Sequence, residues 1–104
     1  MIHLLYITVK DKADARAITA KLLEARLIAC ANIVGGVESL YRWKGEFCDS
    51  EEVLLLAKTT EEKIPAVVDA VKALHSYELP CIAAFPVTAG LPAFLRWVAE
   101  EVEA

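Results

Sequence analysis

The apolar residues of this chain change their spacing six times, and this succession constrains the fold more than any single motif. The opening segment IHLLYITV is rich in β-branched and aromatic residues, which predicts a strand. From Ala15 to Leu22 the apolar residues recur every three or four positions, as in an amphipathic helix over roughly residues 12–25 with Asp11 as its N-cap. The chain is therefore expected to begin with a strand followed by a helix.

The middle of the chain predicts a long β-hairpin. The segment LIACANIVGGVESLYRWK is typical of an extended strand in which Gly35 and Gly36 mark a bulge or bend. Gly45 provides a turn, and VLLLAKT predicts the antiparallel return strand after a polar interruption, CDSEE. This hairpin is longer than a small sheet can use, so its far end is expected to project beyond the sheet.

The last third of the chain predicts two helices around a short strand. Apolar residues from Ile64 to Leu74 have helical spacing, and Thr59 and Glu62 have the spacing of a capping box. CIAAF, between two prolines, predicts a buried strand, and the apolar residues from Leu91 onward predict a final helix. The order βαββαβ followed by α is that of an α+β, ferredoxin-like sandwich with an antiparallel sheet, a long central hairpin and an extra C-terminal helix. One such domain is expected to span residues 1–104.

Composition argues against several classes of protein. Hydrophobic residues make up 57% of the chain, yet a domain of this size buries only roughly 60–70% of its unfolded surface, so another subunit is expected to cover part of the excess. No apolar run approaches the ~20 residues of a membrane span. The net charge of −4, without clustered Lys and Arg, argues against nucleic-acid binding. The N-terminal segment has the pattern of a strand and does not resemble a signal peptide, so a cytoplasmic location is expected.

The projecting segment SLYRWK alternates, which places Tyr41 and Trp43 on one face and Arg42 and Lys44 on the other. One interpretation is that the two aromatic rings stack against the ring of a ligand, while the nearby Arg42 and Lys44 bind an anionic group. The favoured interpretation is that both rings anchor a subunit interface, where large amphipathic aromatics are enriched.

The segment LHSYELPCIAAFP brings several polar side chains together. His75, Glu78 and Cys81 could all bind a borderline-soft transition metal. Each residue also has a purely structural interpretation. His75 would interact with the C-terminus of its helix, the Tyr77 ring would pack while its hydroxyl forms a hydrogen bond, and Glu78 would be solvated. No catalytic residues are identified: there is no nucleophile motif and no P-loop, and the adjacent carboxylates Glu51-Glu52 are most simply solvated.

Five ordered segments, ACANI, SLYRWKGE, LLLAKTT, LHSYELPCI and LRWV, make the chain resemble the CutA, or divalent-cation-tolerance, family from Leu4 to Val98. The resemblance implies a ferredoxin-like homotrimer, similar in architecture to the nitrogen-regulatory PII proteins and linked to tolerance of copper and other divalent cations. It also implies that Cys30 and Cys81 are core thiols, and it leaves room for an unidentified protein partner.

The same resemblance implies a metal site only in part. Copper-binding members use a cysteine in the first strand and a His-His pair at the end of the second helix, and these positions are Ile7, Leu74 and His75 here. Only His75 can ligate a metal, so a weak site for copper or a similar divalent ion is expected at His75 and Glu78, at a junction between subunits.

Two functions follow as hypotheses. The first is a trimeric protein of divalent metal tolerance. The alternative is a PII-like regulatory or scaffold trimer that senses a small anionic ligand through Lys58, Arg42 or Lys44 beside an aromatic ring. The residues predicted to line a ligand cleft or an interface are Tyr41, Trp43, Lys58 and Tyr77.

Overall fold

A computed structural model describes residues 1–103. Its elements are β1 (Ile2–Val9), α1 (Lys12–Glu24), β2 (Cys30–Trp43), β3 (Glu46–Thr60), a 3-10 turn (Glu61–Lys63), α2 (Ile64–Leu74), β4 (Ile82–Pro86) and α3 (Pro92–Glu103). This order confirms the predicted α+β fold with its central hairpin and C-terminal helix. The strands form one antiparallel sheet in the order β2-β3-β1-β4, with β1 between β3 and β4.

Helices α1 and α2 bury one face of this sheet. Alternate residues of β1 point toward them, from Leu5 through Ile7 to Val9, and none of the three is exposed to solvent. Their neighbours on β3 alternate in the same way, so that Ile7 lies opposite Leu55. The remaining members of this core come mainly from the apolar stripes of the two helices and include Ala15, Ile18, Leu22, Val67 and Val71. Full burial of each large side chain contributes about 1.5–3 kcal/mol.

Helix α3 packs against β3 and β1 through a separate apolar contact. Val98 and Val102 are buried there but do not belong to the core cluster formed with α1 and α2. The guanidinium of Arg26 donates to the backbone oxygen of Glu101 at 3.0 Å, which ties the end of α1 to α3.

The hairpin projects beyond the sheet because β1 pairs only with the second half of β3, as far as Val53. From Val37 opposite Glu52 to the tip, β2 and β3 have only each other as strand partners within residues 1–103. The turn residues Lys44 and Gly45 have φ angles of 50° and 81°, the left-handed values that a two-residue type I′ turn requires.

The predicted bulge is present as well. The register between β2 and β3 shifts between Val34 and Val37, where the φ of Gly36 is 74°. Glycine adopts this left-handed conformation without the steric cost that a Cβ atom brings.

Three local predictions are wrong. Strand β4 is not buried: its residues are half-buried or exposed, and Phe85 is 51% exposed. The polar interruption CDSEE is part of β3, because the projecting hairpin needs no apolar face and these residues pair through their backbones with β2. Thr59 does not begin a capping box. It is buried in β3, and its hydroxyl donates to the backbone oxygen of Leu27 at 2.7 Å.

Candidate functional site

One face of the hairpin carries the predicted aromatic residues. The register places Tyr41 opposite Cys48 and Trp43 opposite Glu46, so both rings lie on the face that also carries Glu52. The Tyr41 hydroxyl lies 3.4 Å from the Ser50 Oγ atom. This face therefore combines aromatic rings with hydroxyl and carboxylate groups.

Trp43 lies at the exposed tip of the hairpin. The ammonium group of Lys44 lies 5.6 Å from the centroid of its ring, within the range of a cation–π contact. Such a contact at an exposed position is worth about 0.5–1 kcal/mol. In the single chain, the Trp43 ring is only partly covered and remains available to a partner.

His75 lies where helix α2 ends and is 9% exposed. Its Nε2 atom is 2.7 Å from the backbone oxygen of Thr8, at the end of β1. Its Nδ1 atom accepts a hydrogen bond from the backbone N–H of Tyr77 at 3.1 Å, and the two rings lie 4.6 Å apart. Both imidazole nitrogens are therefore engaged within the chain.

Tyr77 joins the loop after α2 to the hairpin. Its hydroxyl donates to Oε2 of Glu52 at 2.8 Å. Burial raises the pKa of the Tyr77 phenol, and the hydrogen bond to the Glu52 carboxylate and its negative charge raise it further. The tyrosine therefore stays neutral and acts as a donor well above neutral pH.

Glu52 is the site residue that the sequence interpretation missed. Its neighbour Glu51 is exposed as expected, but Glu52 is only 7% exposed. Alternation along β3 places Glu52 on the same face as Leu54, opposite the core residue Leu55, so the strand pattern alone did not predict its burial. A buried carboxylate requires a donor, and Tyr77 provides one.

Glu78 lies near the tip of the hairpin. Its carboxylate pairs with the ammonium group of Lys44 at 3.7 Å, and both side chains are largely exposed. Exposed pairs of this kind contribute little to stability. The α2–β4 loop therefore contacts the hairpin at two places, firmly at Glu52 and weakly at the tip.

Within the single chain, these residues do not assemble a complete metal site. Residues 1–103 contain no group of three or more His, Cys, Asp or Glu side chains placed to hold one. Neither ring nitrogen of His75 has a free lone pair, and Ile7 and Leu74, which the sequence resemblance aligned with copper ligands, carry hydrocarbon side chains.

Lys58 lies far from the aromatic face. Its ammonium group donates to the Oδ1 atom of Asn32 on the neighbouring strand. Cys48, the partner of Tyr41, lies ten positions away along β3, which corresponds to roughly 33 Å at ~3.3 Å per residue. One chain therefore does not bring Lys58 together with Tyr41 or Trp43.

The three cysteines are free thiols. Cys30 and Cys48 are half-buried. Cys81 is exposed, so the expectation that it is a core thiol is wrong for the single chain. It precedes β4, at the edge of the sheet, where no element of the described chain covers it.

Comparison with known proteins defines the class to which this fold and sequence belong. The family model "CutA1 divalent ion tolerance protein" matches residues 3–101. The divalent-cation tolerance protein CutA of Thermus thermophilus is 45% identical over 96% of this chain and 97% of its own length. The chain belongs to the CutA1 divalent ion tolerance family, as its sequence segments predict.

Solved structures agree with this assignment. A structure described as the periplasmic divalent cation tolerance protein CutA from Archaeoglobus fulgidus has a TM-score of 0.96 and 42% identity, covering 99% of this chain and 100% of that one. The Thermus thermophilus structure has a TM-score of 0.94 and 44% identity, covering 97% and 98%. None of the helices in residues 1–103 combines the length and apolar character needed to cross a membrane.

Proposed function

We propose that this chain acts in divalent cation tolerance as a non-catalytic, cytoplasmic homotrimer that binds a divalent cation weakly at its subunit junctions. Membership of the family supports the role in tolerance. The proposed assembly and the cation site are supported by different parts of the chain and are tested separately.

The trimer is supported by an uncovered strand edge and by exposed apolar side chains. Strand β2 lies at the edge of the sheet, is 14 residues long, and offers its outer backbone groups to another chain. Phe94 and Trp97 of α3 stack at 5.9 Å and are both exposed. Obligate interfaces are large and apolar, and exposed residues that could contribute are Leu40, Phe47, Phe85 and Leu91.

Sedimentation equilibrium tests the assembly. We expect one species with three times the 11.4 kDa mass of the chain, and no dissociation at micromolar concentration because folding and assembly are coupled. A stable monomer at that concentration would contradict the trimer.

The cation site is supported by an imidazole and a carboxylate in one short loop, His75 and Glu78. Imidazole and carboxylate oxygen are both ligands for divalent transition metals, with copper favoured in the affinity order. Binding is expected to be weak because His75 already bonds within the chain and Glu78 pairs with Lys44.

Calorimetric titration of the trimer with Cu²⁺ tests the site. His75→Ala should abolish saturable binding, and Glu78→Gln should weaken it by a smaller factor. His3→Ala, which removes the other histidine, is the matched control and should retain binding through His75. If binding survives in His75→Ala with unchanged stoichiometry, the site lies elsewhere.

A further inference from the structure

Three hydrogen bonds form a continuous chain from β1 to the root of the hairpin. His75 Nε2 contacts the Thr8 backbone oxygen at 2.7 Å, and His75 Nδ1 accepts from the Tyr77 backbone N–H at 3.1 Å. The Tyr77 hydroxyl then donates to Glu52 at 2.8 Å. We refer to these four residues as the His75 latch.

The partners of His75 fix its tautomer. A backbone N–H can only donate, so Nδ1 must present its lone pair to Tyr77. The backbone oxygen of Thr8 can only accept, so Nε2 must carry the hydrogen. The latch therefore requires a neutral imidazole with a proton on Nε2 and no spare lone pair.

A metal ion needs the same lone pair that holds Tyr77. Metals bind neutral imidazole through an unprotonated nitrogen, and in this tautomer only Nδ1 is unprotonated. A ligand at Nδ1 would have to displace the Tyr77 N–H, and the Tyr77 side chain is itself held by the buried carboxylate of Glu52.

We infer that His75 is a positioning residue in this chain, which fastens the α2–β4 loop to the hairpin root, and that metal binding at His75 and the closed latch exclude each other. The exclusion rests on the proposed cation site, whereas the latch does not. In the closed state, residues Ser76 to Cys81 are held against β3 through Tyr77. In the open state, this loop is released from Glu52 and Nδ1 faces solvent.

Tyr77→Phe separates these states because it removes the bond to Glu52 and keeps the backbone N–H. Tyr6→Phe, the loss of one tyrosyl hydroxyl from β1 outside the latch, is the matched control. Glu52→Gln keeps a carbonyl oxygen that can accept from the Tyr77 hydroxyl, so it should retain most of the latch. All variants are compared as assembled protein.

The first readout is hydrogen exchange of the metal-free protein. Backbone amides in residues 76–81 should exchange about five-fold faster in Tyr77→Phe, as expected for the loss of one typical hydrogen bond. They should exchange close to the wild-type rate in Tyr6→Phe and Glu52→Gln. Unchanged exchange in Tyr77→Phe would overturn the latch.

The second readout is titration with Cu²⁺. Tyr77→Phe should bind about five-fold more tightly than the wild type, because the cost of opening has fallen by one hydrogen bond. If the wild type and Tyr77→Phe bind Cu²⁺ with equal affinity and His75→Ala does not bind it, the exclusion is overturned and the proposed cation site stands. No saturable binding in either protein would remove the cation site and the exclusion, while faster exchange would still support the latch.

Discussion

The phenolic oxygen of Tyr77 lies 2.8 Å from Oε2 of Glu52, so a loop at one end of the sheet is bonded to the strand from which the hairpin projects. The carboxylate is buried, and the tyrosine is its only bonded side chain in the described part of the protein. This contact gives the hairpin root a defined position relative to α2.

The contact makes stability sensitive to alkaline pH. Burial, followed by the bond to Glu52, raises the folded pKa of Tyr77 above its unfolded value of about 10. Its contribution is therefore complete below about pH 10 and is lost as the pH rises above it. We expect the free energy of unfolding, from urea titrations at several pH values, to decline more steeply above about pH 10 in the wild type than in Tyr77→Phe. Parallel profiles would show that Tyr77 has no raised pKa.

Truncation of Leu55 should cause a large loss of stability. This residue is fully buried on β3, between Ile7 and Ile33 of the adjacent strands. Leu55→Ala should cost about 2–5 kcal/mol in chemical denaturation, from lost burial and the cavity left behind. The control Leu23→Ala, at an exposed position of α1, should cost much less. Similar losses at both positions would contradict the assigned core.

The hairpin turn depends on Gly45. Its φ of 81° penalises any residue with a Cβ atom, so Gly45→Ala should destabilise the protein by about 1–2 kcal/mol. Gly90→Ala is the control, because a Cβ atom there would meet only the side chain of Leu95, at an ordinary 3.4–3.6 Å. Thermal unfolding of the two variants measures the difference, and an equal effect would mean that the turn is not left-handed.

Trp43 distinguishes an interface from a free ligand platform. If the ring is a buried anchor of the trimer, Trp43→Ala should weaken assembly by about 2–4 kcal/mol, as interface tryptophans often do. Trp43→Phe keeps an aromatic ring and should weaken assembly less. Sedimentation velocity over a dilution series measures both. Unchanged assembly in Trp43→Ala would leave the ring exposed and free to bind a ligand.

Local sequence determined the order of the elements, the position of the turn and the bulge. Gly45 and Gly36 adopt left-handed φ values without steric cost because they lack a Cβ atom. The apolar stripes of α1 and α2 are set by local residue spacing, and each packs against one face of the sheet. The family could be predicted for the same reason, because its characteristic segments are short and contiguous.

Tertiary structure alone decided what the polar residues do. The His75 ring bonds to the backbone of Thr8, 67 positions away, and the Glu52 carboxylate bonds to Tyr77, 25 positions away. Thr59 reaches Leu27 in the same way. A short pattern of residues shows which groups can bond, whereas the partner that takes a lone pair depends on where distant strands and loops meet. The sequence therefore identified His75 as a residue of interest, and the packing of β1, β3 and the α2–β4 loop decided that its nitrogens bond within the chain.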